Sequence, residues 1–309
     1  MGIKFLDMKK ICVFWACFAL YGVVCVASAS DRMKASLETK LMEYTSEKDA
    51  DIGVSVVWDL NEAGVNDNEF FAMLSVYKFP QALAVADYCI RNGISFEEKI
   101  VITPTDLKEN TYSPLRDKMG VGYHAVPISE LLAYTIQQSD NNACDILFRY
   151  IGGVDKVQSY MENIGISDIF IKSTEDELHA DIRLCYENKV TPRAMSSLIK
   201  YFRERLEQTD ARYRFIASLM EQCVTGNARL VKGIMDRDVK IGHKTGTGDV
   251  DSNGKIVAVN DVGYVVLPNG NEYIIAVFVN DSQLEMPETE QIIADISSLV
   301  YETLRIESE

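Results

Sequence analysis

The sequence predicts a mixed α/β fold of the α+β type, with one antiparallel sheet built from both ends of the chain and flanked by helices. Two observations support this prediction. Val-rich segments with the alternating pattern of strands occur near both termini, whereas the middle of the chain carries apolar residues at helical spacing. The simplest packing therefore inserts a helical lobe between the two halves of the sheet.

The elements follow in order. Near the amino end we expect a helix over 35–45, a strand over 52–60, a short strand at 70–71 and a helix over 76–90. Helical periodicity then marks the segments 128–137, 142–150, 154–163, 192–206 and 211–222. The carboxyl end returns to strands over 240–245, 257–267 and 273–280, followed by a helix over 289–304.

This order predicts how the chain is divided. We expect one domain, residues 30–309, with an α/β lobe formed by 30–70 and 225–309 and a helical lobe formed by 71–224. The segment 168–191 shows no clear period. Loops of that length in a compact domain are usually functional.

The first 29 residues have the pattern of a secretory signal peptide. Lys9 and Lys10 precede a short apolar run, which a small-x-small site ending at Ala29 follows. Val24 before Cys25 is too bulky for a good lipidation site, so we expect cleavage after Ala29 rather than a lipid anchor. The mature protein is expected in the periplasm or secreted, without stable membrane insertion.

Charge and cysteine content exclude some functions. The chain carries a net charge of −15, which argues against non-specific binding of nucleic acid. Four cysteines remain after the signal peptide, and free buried thiols are the expected state of most of them, although the sequence leaves their pairing open: Cys89, Cys144, Cys185 and Cys223. The scattered histidines lack metal-ligand spacing, so we expect neither a metal nor another cofactor: His124, His179 and His243.

One short motif at the start of a predicted helix suggests a nucleophile. Ser75 and Lys78 form S-x-x-K, a spacing that places both side chains on one helix face. A serine hydroxyl needs a nearby base, and a lysine can serve if its surroundings lower its pKa. Alone the motif is weak, because a capping serine and a surface lysine give the same pattern.

Further motifs follow in the chain. Ser139-Asp140-Asn141 lies between two predicted helices, and its serine can relay a proton, although an ordinary helix cap reads the same. Lys244-Thr245-Gly246-Thr247 lies on a predicted strand, where lysine and threonine suit a substrate carboxylate and glycine gives room for substrate. Glu175 lies in the segment without clear period, where a carboxylate can activate water.

Together S-x-x-K, S-D-N and K-T-G are the motif set of class A serine β-lactamases and penicillin-binding proteins. From about residue 35 to 304 the sequence resembles the class A β-lactamases. It is most similar to the cephalosporinase-type subgroup, on the evidence of His243-Lys244-Thr245-Gly246, Asn260-Asp261-Val262-Gly263-Tyr264 and the Glu175–His179 segment.

The resemblance implies an acyl-enzyme mechanism that opens cephalosporins and penicillins and gives antibiotic resistance. Ser75 would be the nucleophile, activated by Lys78 or by Glu175 through a water. Ser139 would pass a proton to the β-lactam nitrogen, and the backbone N–H groups of Ser75 and Thr247 would form the oxyanion hole. Substrate would be the only partner of a monomer. The remaining residues implied to bind or orient it are Tyr112, Asn141, His179, Arg229, Lys244, Thr245 and Gly246.

Three positions depart from the family pattern. His179 stands four residues after Glu175, where class A enzymes usually have asparagine, and we expect it to position the hydrolytic water. Ser173 and Asn188 stand near the positions of the arginine and aspartate that commonly close the loop. The subgroup shares such changes, so these departures concern the conformation of the loop and not the activity.

Two other functions remain open. A penicillin-binding peptidase would share the serine, lysine and K-T-G but would lack a placed Glu175. A sensor module would be acylated by β-lactams and stay acylated, although the mature sequence shows no second domain for signalling. Hydrolysis with turnover distinguishes the enzyme from both.

Overall fold

The computed structural model describes residues 29–305 except 121, 209 and 236. The expected signal peptide, including Cys25, therefore lies outside the described residues apart from Ala29. Among the helices of this part of the chain, none is long and apolar enough to span a membrane.

The elements agree closely with the predicted order. The strands are β1 (Asp51–Trp58), β2 (Asn61–Val65), β3 (Phe71–Ala72), β4 (Lys99–Ile102), β5 (His124–Pro127), β6 (Ile169–Phe170), β7 (Lys189–Val190), β8 (Lys240–Thr247), β9 (Ile256–Val266) and β10 (Glu272–Ser282). The α-helices are α1 (Ala29–Ser46), α2 (Lys78–Arg91), α3 (Pro114–Met119), α4 (Ile128–Gln137), α5 (Asn141–Ile151), α6 (Val154–Asn163), α7 (Glu175–Ala180), α8 (Pro192–Gln208), α9 (Ala211–Glu221), α10 (Leu230–Ile234) and α11 (Met286–Leu304). Short 3-10 helices cover Leu74–Tyr77, Pro104–Asp106 and Ile182–Tyr186.

Both ends of the chain build the main sheet. Its strand order is β2-β1-β10-β9-β8, and every neighbouring pair is antiparallel. The amino-terminal strand β1 lies beside β10, with Val54 opposite Val277. The predicted fold class is therefore confirmed.

Helices cover both faces of this sheet, which explains why its central strands are apolar on both sides. Ile275 and Val277 belong to the cluster formed with Leu37 of α1 and Ile293 of α11. Phe278, next along the strand, belongs to the second cluster, on the face where α8 contacts β1, β9 and β10. The terminal helices thus cover one face as expected, while α8 covers the other. The lobe boundaries at 71 and 224 stay a prediction.

The segment 168–191 is more regular than the sequence analysis proposed. It contains the short helix α7, which begins with a capping box: the Thr174 hydroxyl accepts the N–H of Glu177, whose carboxylate accepts the N–H of Thr174. This pairing satisfies two N–H groups at the helix start, and acidic residues in the first turn are favoured by the helix dipole. The T-x-x-E pattern in the sequence carried this signal.

The side-chain amide of Asn188 closes the segment 168–191, in place of the arginine–aspartate ion pair that this sequence lacks. Asn188 is fully buried, and its Nδ2 donates to the carbonyl of Ser173 at 2.8 Å. Its Oδ1 accepts the N–H groups of Lys172 at 2.7 Å and Ser173 at 3.0 Å. One uncharged side chain therefore joins both ends of the loop without the cost of burying two charges.

This closure predicts a selective loss of stability. Asn188→Ala leaves buried backbone groups unpaired, so the free energy of unfolding should fall by about 2–3 kcal/mol in urea denaturation. Asn68→Ala, at an exposed asparagine whose side chain donates to its neighbour Asp67, should change this free energy by less than about 0.5 kcal/mol. Equal effects of the two variants would contradict the assigned role of Asn188.

Candidate active site

The candidate nucleophile lies where a 3-10 turn runs into the long helix α2. Ser75 belongs to the turn and Lys78 begins the helix, so both side chains face the same side. Leu74, just before the serine, has a positive φ of 46°, a conformation that costs energy for a residue with a β-carbon. Strain of this kind is common where a structure fixes a reacting group.

Gly246 allows strand β8 to approach this turn closely. A β-carbon at Gly246 would lie 2.4 Å from the carbonyl oxygen of Met73 and 3.2 Å from the backbone nitrogen of Val76. The expected role of this glycine in making room for substrate stays a prediction. The structure adds a second requirement, which is direct packing of the strand against the segment that carries Ser75.

Lys78 is fully buried and joins four groups from separate parts of the chain. Its Nζ donates to the Ser75 hydroxyl at 2.9 Å, the Ser139 carbonyl at 2.8 Å and Asn141 Oδ1 at 2.6 Å. It also pairs with Glu175 Oε1 at 2.8 Å. These contacts compensate a buried ammonium that would otherwise be very costly.

A second buried lysine approaches from the opposite side. Lys244 Nζ donates to the Ser139 hydroxyl at 3.0 Å, so Ser139 contacts one lysine through its carbonyl and the other through its side chain. Burial, followed by the positive charge of Lys78, lowers the pKa of Lys244 to about 7. Ser139 itself has a positive φ of 60° in the turn between α4 and α5.

Asn141 faces the cleft but its amide already has partners. Oδ1 accepts from Lys78, and Nδ2 donates to the Thr111 hydroxyl at 2.8 Å. Thr111 belongs to none of the short motifs, so the sequence did not identify it as a partner of Asn141. Asn141 therefore orients Lys78 in addition to any contact with substrate.

Glu175 is positioned by a residue that the sequence analysis missed. The carboxylate of Asp145 on α5 accepts the backbone N–H groups of Glu175 and Asp176, both at 2.9 Å, at the start of α7. The Glu175 carboxylate then reaches Lys78 and lies 3.5 Å from the Ser75 hydroxyl. Asp145 stands alone within a predicted helix, so no local pattern identified it.

Part of this group borders a cleft of about 540 Å³, whose lining does not include Lys78, Ser139, Lys244 or Thr245. The side chains lining it include six of the predicted site residues: Ser75, Tyr112, Asn141, Glu175, His179 and Thr247. Tyr112 is 58% exposed at its edge. His179 is exposed, and no hydrogen bond from its side chain is found within the described residues. Its expected role in holding water stays a prediction.

Arg229 is buried behind strand β8, and its expected role of adding positive charge beside the substrate carboxylate stays a prediction. It is 3% exposed and pairs with Glu290 at 3.0 Å. Its guanidinium donates to the carbonyls of Gly246 and Asn260, both at 3.0 Å, and to the Thr247 hydroxyl at 2.7 Å. Arg229 therefore supports strand β8 and reaches the cleft only through Thr247.

The strand is also supported by a buried histidine. His243 Nδ1 lies 2.9 Å from the Asp261 carboxylate. Burial alone would lower the pKa of His243, but the charge of Asp261 and its hydrogen bond raise it to about 10. The four cysteines of the described residues are free thiols, of which three are buried and Cys223 is partly exposed.

The arrangement suits attack by a serine on an acyl group. The Ser75 hydroxyl touches a buried cation and lies near a carboxylate, and a second serine faces another lysine across the site. Nucleophile, candidate base and candidate proton relay are therefore linked through Lys78, and the nucleophile and base border one cleft. Among the described residues no cluster of His, Cys, Asp or Glu could hold a metal ion.

Asp145 gives a testable dependence on pH. Burial, with a further contribution from the charge of Glu175, raises its pKa to about 7 despite two backbone hydrogen bonds that act against it. Because the folded pKa lies above the ordinary value, this group favours folding below about pH 4 and loses that contribution as the pH rises through 7. Asn cannot ionise, so Asp145→Asn should remove this fall in stability between about pH 4 and pH 7.

Urea denaturation of wild type and Asp145→Asn at pH 5 and pH 8 measures this. The difference in free energy of unfolding, Asp145→Asn minus wild type, should be larger at pH 8 than at pH 5. For Asp176→Asn, at an exposed position, the same difference should not change with pH. A constant difference at both pH values would mean that Asp145 is ionised throughout.

Comparison with known proteins places this site in a family. Residues 35–304 match the model of the beta-lactamase enzyme family. A beta-lactamase of Bacteroides uniformis is 35% identical over 94% of this chain and 99% of its own, and beta-lactamase VEB-1 of Pseudomonas aeruginosa is 38% identical over 88% and 91%. The crystal structure of a class A beta-lactamase from Bacteroides cellulosilyticus superposes with a TM-score of 0.85, at 38% identity over 89% of this chain and 99% of that one. The chain belongs to the class A beta-lactamases.

Proposed function

We propose that this protein hydrolyses the amide bond of cephalosporins and penicillins through an acyl-enzyme on Ser75, and so gives antibiotic resistance. The observation that carries the proposal is the contact of the Ser75 hydroxyl with Lys78 at 2.9 Å, where Lys78 is itself paired with Glu175 at 2.8 Å. A nucleophile, a base and a buried cation are thus joined in one unit.

Acylation begins with attack of Ser75 Oγ on the β-lactam carbonyl carbon. The hydroxyl proton has to leave as the carbon–oxygen bond forms. If the proton on Lys78 Nζ moves to Glu175, the freed lone pair faces Ser75; if it does not, Glu175 takes the serine proton directly or through a water. In both routes the Lys78–Glu175 pair gains one proton.

The leaving nitrogen then requires a proton. Ser139 is the candidate donor, since its hydroxyl accepts from Lys244 Nζ at 3.0 Å and can be reprotonated from it. A pKa of Lys244 near 7 suits this exchange at neutral pH. The carbon–nitrogen bond breaks, the ring opens, and Ser75 carries the ester. The proton that the Lys78–Glu175 pair gained then replaces the one that Lys244 gave up through Ser139, so the net transfer is from Ser75 to the nitrogen and Glu175 is again a carboxylate before deacylation.

Other side chains orient the substrate. Lys244 and Thr245 are proposed to bind its carboxylate, which suits a buried cation beside a hydroxyl. Tyr112 and Asn141 border the cleft where the amide side chain of the substrate would lie. Backbone N–H groups of Ser75 and Thr247 are proposed to hold the oxyanion.

Deacylation requires water, and Glu175 is the proposed base. Its carboxylate borders the cleft beside Ser75, and Asp145 fixes the helix start that carries it. A general base typically contributes ~10²–10⁴-fold. Loss of this carboxylate should therefore trap the ester.

A matched pair of variants tests this assignment. Glu175→Gln removes the base with little change of shape, so release of product should slow by about 10²-fold or more and mass spectrometry should show an adduct that persists for minutes. Glu177→Gln makes the same chemical change two residues away and keeps the capping box, so it should turn over like wild type.

The remaining outcomes separate the alternatives. Ser75→Ala should abolish the adduct in either background. Normal turnover by Glu175→Gln, with adduct in Glu177→Gln, would contradict the assignment. Accumulation of adduct by the unmodified protein would favour a penicillin-binding peptidase or a sensor.

We further propose that the enzyme is of the cephalosporinase type and turns over cephalosporins well. The support is the resemblance of the H-K-T-G and Asn260–Tyr264 segments, together with the Thr247 hydroxyl at the cleft edge. The kcat/KM for a cephalosporin should be at least comparable to that for a penicillin. A hundredfold preference for penicillin, about 2.7 kcal/mol, would contradict the proposal.

Export completes the proposed role. Residues 1–29 are proposed to direct the chain out of the cytoplasm and to be removed, and the mature enzyme is proposed to act as a monomer. An exported enzyme meets β-lactams before they reach the cell-wall enzymes that they acylate.

A further inference from the structure

Behind Thr245 lies a short segment between α9 and α10 that contacts it on two sides. The Thr225 hydroxyl lies 2.6 Å from the Thr245 hydroxyl, and the Cys223 thiol lies 3.3 Å from the Thr225 hydroxyl. A β-carbon on Gly226, which has a positive φ of 69°, would lie 2.5 Å from the methyl group of Thr245. The hydroxyl and the methyl group of Thr245 are therefore each held by a different residue.

We infer that Thr225 and Cys223 are positioning residues that direct the hydroxyl proton of Thr245 towards the substrate carboxylate. The inference rests on the proposed function, in which Thr245 binds that carboxylate. It concerns affinity for the substrate and assigns neither residue a contact with the reacting atoms.

The direction of the chain follows from counting donors. A carboxylate only accepts hydrogen bonds, so Thr245 has to use its single proton on the substrate. Its short contact with Thr225 then requires Thr225 to donate. The oxygen of Thr225 is left as an acceptor, and the Cys223 S–H is the neighbouring donor. The Cys223 S–H also lies 3.8 Å from the Thr225 carbonyl. When it is turned to the Thr225 hydroxyl instead, the proton order is S–H to O–H to O–H to carboxylate, and Thr225, Thr245 and the carboxylate are all satisfied.

Packing keeps this chain in place. Thr245 is 3% exposed, so its hydroxyl cannot turn to bulk water when Thr225 is lost. Its methyl group cannot move towards the segment, because the backbone of Gly226 already lies against it. Without Thr225, the Thr245 proton is free to turn towards other acceptors, and the carboxylate meets an unaligned donor.

Paired variants test the inference. Thr225→Val removes the hydroxyl at nearly constant volume, whereas Thr225→Ser retains it. With a cephalosporin that has a free carboxylate, Thr225→Val should raise KM by about threefold to tenfold and leave kcat within twofold, as for loss of one hydrogen bond in binding. Thr225→Ser should stay within twofold of wild type in both constants.

A substrate without the negative charge provides the control. For the methyl ester of the same cephalosporin, wild type and Thr225→Val should have equal KM, because no carboxylate is present to be aligned. Cys223→Ala should raise KM for the free acid by a smaller factor, and Cys223→Ser, which keeps a donor, should restore it. Thermal melting of each variant checks that the fold is intact.

The outcomes separate this inference from the proposed function. If wild type does not hydrolyse either compound, the proposed function fails. The positioning role is wrong if wild type is active and Thr225→Val leaves the KM for the free acid and the KM for the methyl ester unchanged. It is equally wrong if the variant raises both KM values by the same factor. If Thr225→Val does not fold, the Cys223→Ala and Cys223→Ser pair decides, and equal KM values for that pair overturn the chain.

Discussion

The buried ammonium of Lys78 is the constraint on which the site depends. A fully buried charge is tolerated only when hydrogen bonds and an opposite charge replace its water. The partners of Lys78 come from the 3-10 turn before α2, the turn before α5, the start of α5 and the start of α7. The fold therefore has to bring four separate segments to one nitrogen.

Each of those segments needs its own support. Gly246 lets β8 pack against the turn with Ser75, Asp145 fixes the start of α7, and Asn188 closes the loop behind it. Lys244 adds a second buried cation, whose proximity to Lys78 contributes to lowering its pKa to about 7. Lys78 is paired with the Glu175 carboxylate, whereas Lys244 contacts the Ser139 hydroxyl. This difference suits Lys78 to activation of Ser75 and Lys244 to reprotonation of Ser139.

The sequence predicted four of the five strands of the main sheet, the longer helices and the three short motifs, because hydrophobic period and motif spacing are local. It missed β2, which lies in a segment with the pattern of a turn, and the short helices α3, α7 and α10. It could not reveal partners that are distant in the chain: Asn188 contacts a residue 15 positions away, Asp145 one 30 positions away, and Arg229 pairs with Glu290 across 61 positions. The sequence also did not reveal that Arg229 is buried, because this burial depends on the distant Glu290. The capping box of Thr174 was visible locally and was overlooked.

A double-mutant cycle on Lys78 and Glu175 tests the central claim most directly. Lys78→Met and Glu175→Gln each remove one partner with little change in volume, and urea denaturation gives the free energy of unfolding of both variants and of the double variant. The account predicts a favourable coupling energy of about 1–3 kcal/mol, since each charge is buried against the other. Additive effects, within about 0.5 kcal/mol, would show that Lys78 is not held by Glu175 and would contradict it.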